Sequence, residues 1–177
     1  MRLLSFIMLL STTPLALASE ACWERAAAEG GTSVALLQAI ARTESSMRPY
    51  AVNASHQHVT GTRDIGLVGV NTEPRVLKQL GISEADLFDP CINLRAGARI
   101  LKEKFSRFGT TWEAVGAYNA ACTRLKGNAC QAARKAYAWR VYRAMHPALR
   151  GKQKGTTHSL QRLTLPTEQT MQFVSLR

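Results

Sequence analysis

The 177-residue sequence contains no apolar run long enough to cross a bilayer as a helix. Such a helix needs about 20 consecutive apolar residues, and the apolar stretch from Leu3 to Leu17 is interrupted by Ser11 to Pro14. This stretch follows Arg2 and ends in Ala16-Leu17-Ala18, the small-residue pattern of a signal-peptide cleavage site. We therefore expect residues 1–18 to be a signal peptide and the mature protein to be exported and soluble, without a transmembrane segment.

Cysteines are few, and they are not spaced as metal ligands. The residues Cys22, Cys91, Cys122 and Cys130 lack the paired spacing of a zinc site, so no metal centre is expected. Export allows disulfides to form, and four cysteines permit three pairings. We favour Cys22 with Cys91 and Cys122 with Cys130, because the second pair closes a short loop.

Acidic residues are almost absent from the last third of the chain. Residues 122–177 contain eleven Lys and Arg residues and one acid, Glu168, a net charge of +10, whereas the charges of residues 19–121 cancel. This imbalance favours an anionic partner such as a cell-wall polymer, a membrane surface or an acidic protein. A solvated helix face followed by a basic tail explains the charge equally well. Nucleic acid is not expected, because a signal peptide is present and the tail lacks interleaved aromatic residues.

Apolar residues recur mainly at helical spacing, and residues 19–150 are long enough for one domain with a core. The polar, glycine-containing residues 51–71 are predicted to form a loop that can include a short hairpin, and residues 151–177 a flexible basic tail. The predicted helices run from Glu20 to Glu29, from Thr32 or Ser33 to Glu44, from Thr72 or Pro74 to Gly81, from Pro90 to about Phe108, from the capping box Thr110–Glu113 to Asn119, and from about Gln131 to Met145.

Glu44 is the most informative residue because it lies on the apolar side of its own helix. Val34, Leu37, Ala41 and Glu44 are spaced three, four and three residues apart, which is the spacing of one helical face. Burial disfavours the charged form of a carboxylate and raises its pKa towards the value that a general acid needs. The alternative is that Glu44 turns to the helix edge and pairs with Arg48, an arrangement worth only about 0.3–0.5 kcal/mol. The spacing alone leaves both open.

Four separated segments carry a resemblance to a known family. They are Glu44-Ser45, Asp64-Ile-Gly-Leu-Val-Gly-Val-Asn71, Asn93-Leu-Arg-Ala-Gly-Ala98 and Ala117-Tyr-Asn119. In this order and spacing the chain resembles the catalytic domain of the family 1 lytic transglycosylases, the lysozyme-like enzymes that cut peptidoglycan. The resemblance covers residues 22 to about 146, and it implies a lysozyme-like, mainly helical α+β fold in a single domain over residues 19–150.

Further motifs resemble a subgroup of that family. They are Cys22-Trp-Glu24, Gly61-Thr-Arg-Asp-Ile-Gly66, Asp89-Pro-Cys-Ile-Asn93 and the stretch from Ala120 to Cys130. These motifs are similar to those of the small exported transglycosylases that accompany type III and type IV secretion systems and conjugative pili. The implied role is to open the cell wall locally, in the periplasm, for an envelope-spanning machine.

The resemblance also implies a mechanism that uses one glutamate. Glu44 would protonate the oxygen between N-acetylmuramic acid and N-acetylglucosamine, and would then take a proton from the muramoyl C6 hydroxyl. That hydroxyl attacks C1 and leaves a 1,6-anhydro end, so neither water nor a cofactor is needed. The alternatives are hydrolysis, as in a muramidase, and a weakly active glycan-binding assembly protein.

The resemblance assigns substrate contacts to residues around Glu44. Tyr118 would hydrogen-bond the N-acetyl group or orient Glu44, while Ser45, Asn71 and Asn119 would line the groove. Asp64 is interpreted as a residue that orders the loop, with a second catalytic carboxylate as the alternative. His56 and His58 lack a third ligand and receive no role.

The motif loop departs from the family at one place. The family usually has Gly-Leu-Met-Gln, whereas here Gly66-Leu67 is followed by Val68-Gly69. The glutamine position contacts sugar, so Gly69 falls in the substrate-binding set but contributes no amide. Losing one hydrogen bond to the glycan costs on the order of 1 kcal/mol, which would slow the enzyme without abolishing catalysis.

Overall fold

The computed structural model describes residues 20–147, so the predicted signal peptide 1–18 and basic tail 151–177 lie outside the described residues. Helices dominate this part of the chain, and none of its helices is long and apolar enough to span a membrane. The elements are α1 (Glu20–Gly30), α2 (Val34–Glu44), β1 (Val52–Asn53), α3 (Gln57–Thr60), β2 (Asp64–Ile65), β3 (Val70–Asn71), α4 (Pro74–Leu80), a 3₁₀ helix (Ala85–Phe88), α5 (Pro90–Phe108), α6 (Trp112–Asn119) and α7 (Gly127–Met145).

Capping residues explain most of the helix boundaries. Ser33 caps α2 by accepting a hydrogen bond from the Leu36 amide at 3.2 Å. Asp89 caps α5 by accepting hydrogen bonds from the backbone N–H groups of the second and third residues after it, at 2.8 and 2.9 Å. Pro90 occupies the first helical position. Gly81 ends α4 in the left-handed conformation that glycine adopts without strain. These boundaries confirm the predictions made from the same residues.

Two predicted boundaries were wrong. Thr111, not Thr110, caps α6, and it accepts from the Ala114 amide at 3.3 Å. Glu113 does not complete a capping box in this register, because its carboxylate accepts from Arg134 of α7 at 2.9 Å. Helix α7 begins at Gly127, four residues before the predicted start, since the disulfide-bonded segment preceding Gln131 is already helical.

The hydrophobic core lies between α2 and the longer helices. Helix α1 packs along α5, and α7 packs against both α2 and α6. The largest fully buried aliphatic side chains on these helices are Leu36, Leu37, Ile40, Leu94, Leu101, Val115 and Val141. The only fully buried aromatic side chain among the described residues is Tyr137, and it enters the core from α7.

Two disulfides confirm the favoured pairing. Cys22 bonds to Cys91 and joins α1 to the first turn of α5, with the two Cα atoms 5.3 Å apart. Cys122 bonds to Cys130 with a Cα–Cα distance of 5.5 Å and closes the loop between α6 and α7. The first bond ties segments that are 69 residues apart in sequence, and the second constrains a local loop.

A small sheet lobe, residues 52–71, stands beside the helices. Its three two-residue strands pair antiparallel in the order β1-β2-β3, so the predicted hairpin is present with an additional strand. The register pairs Asn53 with Asp64 and Asp64 with Asn71, while Ile65 pairs with Val70. Because side chains alternate across a sheet, the polar residues share one face and the buried Ile65 and Val70 share the other.

Candidate active site

One buried side chain holds the motif loop against α5. Asn93 is 0% exposed, and its Oδ1 accepts from the Val68 amide at 3.0 Å. Its Nδ2 donates to the carbonyls of Ile65 at 2.8 Å and Leu87 at 3.1 Å. Gly66 lies directly against this amide with φ at +85°, and a Cβ there would collide with the Asn93 side chain. The motif loop is therefore fixed through its backbone.

Tyr118 holds the same loop from α6. Its Oη donates to the Val68 carbonyl at 2.8 Å. Gly97 of α5 leaves the space that the Val68 side chain and the Tyr118 hydroxyl occupy, because a Cβ at this position would overlap both. The Tyr118 hydroxyl therefore forms no hydrogen bond to Glu44, and its predicted contact with the N-acetyl group stays a prediction.

Ser45 ties the end of α2 to the loop and does not line an open groove. Its side chain is buried, with the residue 2% exposed. The hydroxyl lies 2.8 Å from the Leu67 carbonyl and 3.0 Å from the Ala41 carbonyl, and it accepts from the Arg48 amide at 3.1 Å. The donor of Ser45 is used within the protein and the side chain is buried, so the prediction that Ser45 lines the groove is corrected to a positioning role.

Glu44, the last residue of α2, is partly buried and hydrogen-bonded to an aromatic hydroxyl. Tyr137 donates from Oη to Glu44 Oε1 at 2.5 Å. The pKa of Glu44 is raised from 4.5 to about 7, mainly by burial, and the Asp64 charge acts in the same direction. The Tyr137 hydrogen bond and the Arg140 charge act in the opposite direction. A carboxyl group with such a pKa can both give and accept a proton at neutral pH.

The alternative pairing of Glu44 with Arg48 is not formed. Arg48 donates from Nε to the Ser45 carbonyl at 3.0 Å, which directs its guanidinium to the backbone. Glu44 therefore lies on the inner side of the helix end, as the spacing of its apolar neighbours indicates.

Tyr137 was not assigned a role from the sequence. It lies 93 residues from Glu44, and its ring stacks on that of Tyr118 with centroids 6.4 Å apart and an interplanar angle of 22°. Burial, followed by the neighbouring Glu44 charge, raises the pKa of both tyrosines well above the usual value. Both hydroxyls therefore stay protonated and act as donors. The only sequence signal was an aromatic residue with a polar tip on the inner face of the last helix.

The polar face of the sheet lobe carries a connected row of side chains. Asp64 accepts from Asn71 Nδ2 at 2.7 Å and from Asn53 Nδ2 at 3.4 Å, and His56 Nε2 lies 3.7 Å from Asp64 Oδ1. Asn71 also accepts from the Glu73 amide at 2.9 Å. These contacts agree with the predicted ordering role of Asp64. They leave Asn71 partly exposed on the lobe surface.

Gly69 is the loop residue that borders Glu44. Its φ is +60°, and a Cβ there would lie 3.0 Å from Glu44 Oε2 and 3.2 Å from Cδ. The two carboxyl oxygens therefore have different surroundings: Oε1 accepts from Tyr137, and Oε2 faces a residue without a side chain. Asn119 is exposed at the end of α6. Within residues 20–147 no cluster of His, Cys, Asp and Glu side chains is arranged to hold a metal ion.

Comparison with known proteins gives concordant results. The family model of the transglycosylase SLT domain matches residues 21–139. The chain is 39% identical over 129 residues to the invasion protein IagB of Salmonella typhimurium, covering 70% of this chain and 76% of that protein. It is 35% identical over 124 residues to the protein IpgF of Shigella sonnei, covering 69% and 77% respectively.

A solved structure shows the same fold. It is an inactive mutant of the lytic transglycosylase Slt from Pseudomonas aeruginosa, with a TM-score of 0.54 and 22% sequence identity. The alignment covers 77% of this chain but only 24% of that longer protein. The helices and small sheet thus form the lysozyme-like SLT fold that the sequence predicted. With the family model matching most of the chain, this protein belongs to the transglycosylase SLT-domain family.

Proposed function

We propose that this protein is a peptidoglycan lytic transglycosylase in which Glu44 serves as both acid and base. The observation that carries the proposal is the environment of one carboxyl group. Glu44 is partly buried at a helix end, its Oε1 is bound by Tyr137, and its pKa is near 7. Membership of the SLT-domain family gives the substrate class.

The two carboxyl oxygens suggest how the proton moves. Protonated Glu44 donates from Oε2, the oxygen beside Gly69, to the glycosidic oxygen, and the bond from that oxygen to C1 of N-acetylmuramic acid breaks. The substrate's N-acetyl carbonyl stabilises the electron-poor C1. The Glu44 carboxylate then takes the proton from the C6 hydroxyl as O6 bonds to C1, which forms the 1,6-anhydro end. Tyr137 stabilises the charged intermediate state of Glu44 by donating to Oε1.

The remaining site residues divide into contact and positioning roles. We assign glycan contacts to the partly exposed Asn71, to the exposed Asn119 and to the backbone at Gly69, which is also partly exposed. Tyr118 acts mainly by holding Val68, and its partly exposed ring borders the substrate's N-acetyl group. No metal or cofactor takes part in this mechanism.

The cellular role is proposed from the relatives and the predicted signal peptide. One relative is named an invasion protein, and the alignments with IagB and IpgF cover 70% and 69% of this chain. We propose that the chain acts in the periplasm, where it opens peptidoglycan locally for an envelope-spanning secretion or conjugation apparatus.

The decisive experiment is product analysis. Purified protein lacking residues 1–18 is incubated with sacculi, and the released muropeptides are analysed by mass spectrometry, with Glu44→Gln as the control. We expect products with 1,6-anhydromuramoyl ends, which are one water lighter than hydrolytic products, and none from the variant. Products with reducing muramoyl ends would instead identify a muramidase.

A weakly active glycan-binding assembly protein is the second candidate, and Gly69 is the observation that favours it. This position has no side-chain amide to contact sugar, although it lies against Glu44. Complementation separates the two functions. If Glu44→Gln restores secretion or conjugation as well as the wild-type gene, cleavage is dispensable and the binding role is favoured.

A further inference from the structure

Arg140 is a cation whose charge acts on the candidate acid, and it forms no salt bridge within the described part of the chain. It is exposed on α7, three residues after Tyr137, and its guanidinium carbon lies 5.1 Å from the centroid of the Tyr137 ring. The hydroxyl of that ring binds Glu44 Oε1 at 2.5 Å. Arg140 is therefore one aromatic ring away from the reacting carboxyl group.

Two other arginines of the described residues form ion pairs. Arg134, also on α7, binds Glu113 at 2.9 Å, and Arg95 binds Glu29 at 3.0 Å. Arg140 instead stacks on a ring that is itself fixed in the core. Because Arg140 is exposed and forms no salt bridge among the described residues, its guanidinium is available to bind a planar carboxylate through two hydrogen bonds.

We propose that Arg140 is a specificity-determining residue that binds a carboxylate of the muramoyl side of the glycan strand. This inference rests on the proposed function, because it takes peptidoglycan as the substrate. Apart from carboxylates, the glycan strand carries no anionic group that Arg140 could bind. The carboxylate comes either from the peptide stem, or, in strands without peptide, from the lactyl group of N-acetylmuramic acid.

The position of Arg140 couples substrate binding to the acid. The groups that face Glu44 are Tyr137 and Arg140 from α7, Tyr118 from α6 and Asp64 from the sheet lobe. In the free protein the Arg140 charge lowers the pKa of Glu44. A carboxylate bound to Arg140 offsets this charge, so the pKa of Glu44 rises and the protonated form needed for the first step is favoured.

The test compares Arg140→Gln and Arg140→Lys with Arg143→Gln, an exposed arginine of the same helix that does not act on Glu44. Each is assayed on peptide-bearing strands, on amidase-stripped strands, and on stripped strands whose lactyl carboxylates have been converted to amides. For Arg140→Gln we expect KM to rise about three- to tenfold on strands with the recognised carboxylate, and to be unchanged on the neutral strands. Arg140→Lys keeps the charge, so its KM should lie between those of the wild type and Arg140→Gln. The KM of Arg143→Gln should match that of the wild type.

The pH profile of kcat/KM is a second measurement. The alkaline limb of kcat/KM should move to higher pH in Arg140→Gln, which a purely structural role would not produce. An effect confined to peptide-bearing strands identifies the stem, and one confined to stripped strands identifies the lactyl group. Equal losses on charged and neutral strands, or no loss on any, would overturn the inference.

Failure of the proposed function is recognised separately. If the wild-type protein cleaves none of the strands, the transglycosylase assignment fails. Binding of the same three strands is then measured by co-sedimentation with Glu44→Gln and with the Glu44→Gln/Arg140→Gln double variant. The inference about Arg140 stands if the double variant binds carboxylate-bearing strands about three- to tenfold more weakly, and it falls if the two bind alike.

Discussion

The two sides of the candidate site are built in opposite ways. On the helical side, Glu44, Tyr118 and Tyr137 come from three helices and meet through contacts between residues far apart in sequence. In the sheet lobe, Asn53, Asp64 and Asn71 meet through short strands within 20 residues and stay accessible to solvent. Burial sets the acid strength on the first side, and hydrogen bonding arranges polar groups on the second. The strength of the acid thus depends on the core, and the arrangement of the polar surface of the lobe does not.

The junction between these sides is the segment Leu67–Val68 of the motif loop. Ser45, Asn93 and Tyr118 all bind its backbone atoms. The buried Val68 side chain adds packing, and Gly69 adopts a φ of +60° beside Glu44. The loop is therefore held beside Glu44, while position 69 has no side-chain amide to offer a glycan.

Breaking the junction should have the largest effect. Asn93→Leu leaves the Val68 amide and the carbonyls of Ile65 and Leu87 without their partner in a dry interior. Each unpaired buried group costs about 1–3 kcal/mol, so we expect the free energy of unfolding to fall by about 3–5 kcal/mol. Denaturant unfolding measures this loss. The control Asn128→Leu, at an exposed position of α7, should change the free energy of unfolding by less than about 0.5 kcal/mol. An equal loss in both variants would show that the hydrogen bonds of Asn93 do not stabilise the fold.

Removing the acid should stabilise the helical side at alkaline pH. The pKa of Glu44 is raised in the folded protein, so below about 4.5 the group is neutral in both states and has no effect. As pH rises to about 7 the unfolded chain ionises first, and the folded state loses about 3 kcal/mol relative to it. Glu44→Gln does not ionise. We expect its advantage in unfolding free energy over the wild type to be about 3 kcal/mol larger at alkaline pH than at acid pH. A pH-independent difference would show that Glu44 is hydrated.

The third prediction concerns the hydrogen bond that Tyr137 donates to Glu44. Tyr137→Phe removes a donor that lowers the pKa of Glu44, so that pKa rises and the alkaline limb of kcat/KM moves to higher pH. A lost charge-assisted hydrogen bond of about 1.5 kcal/mol also lowers kcat by about tenfold. Tyr142→Phe is the matched control on the same helix, because Tyr142 contacts Trp112 and Trp139 rather than Glu44. An unshifted limb in Tyr137→Phe would refute the coupling.

How far the sequence could predict this molecule follows from the same contrast. Local signals were sufficient for Ser33, Asp89 and Gly81, whose roles depend on neighbours within one turn, and for the short disulfide loop. Glu44 was found because helical spacing reports which face is buried. Tyr137 was missed because nothing local links residues 44 and 137, and Ser45 was misassigned because its carbonyl partner, Leu67, lies in a segment whose path only the tertiary structure fixes. The family resemblance implied the mainly helical α+β class, and periodicity indicated its helices. The pairing of hydroxyls with acceptors depends on the tertiary structure.

The smallest expected effect tests the sheet lobe. Asp64→Asn keeps the size of the side chain and an oxygen for Asn71 Nδ2, but it removes the negative charge that raises the pKa of Glu44. That pKa should therefore fall, and the alkaline limb of kcat/KM should move to lower pH by less than one unit, opposite to its movement in Tyr137→Phe. Activity at the optimum should stay within about threefold of the wild type, because Asp64 orders the loop and carries no proton in the reaction. A second catalytic carboxylate would instead cost about a hundredfold or more when replaced. Such a loss would show that Asp64 takes part in the reaction. If the products also had reducing ends, the mechanism would be hydrolytic and would use two carboxylates.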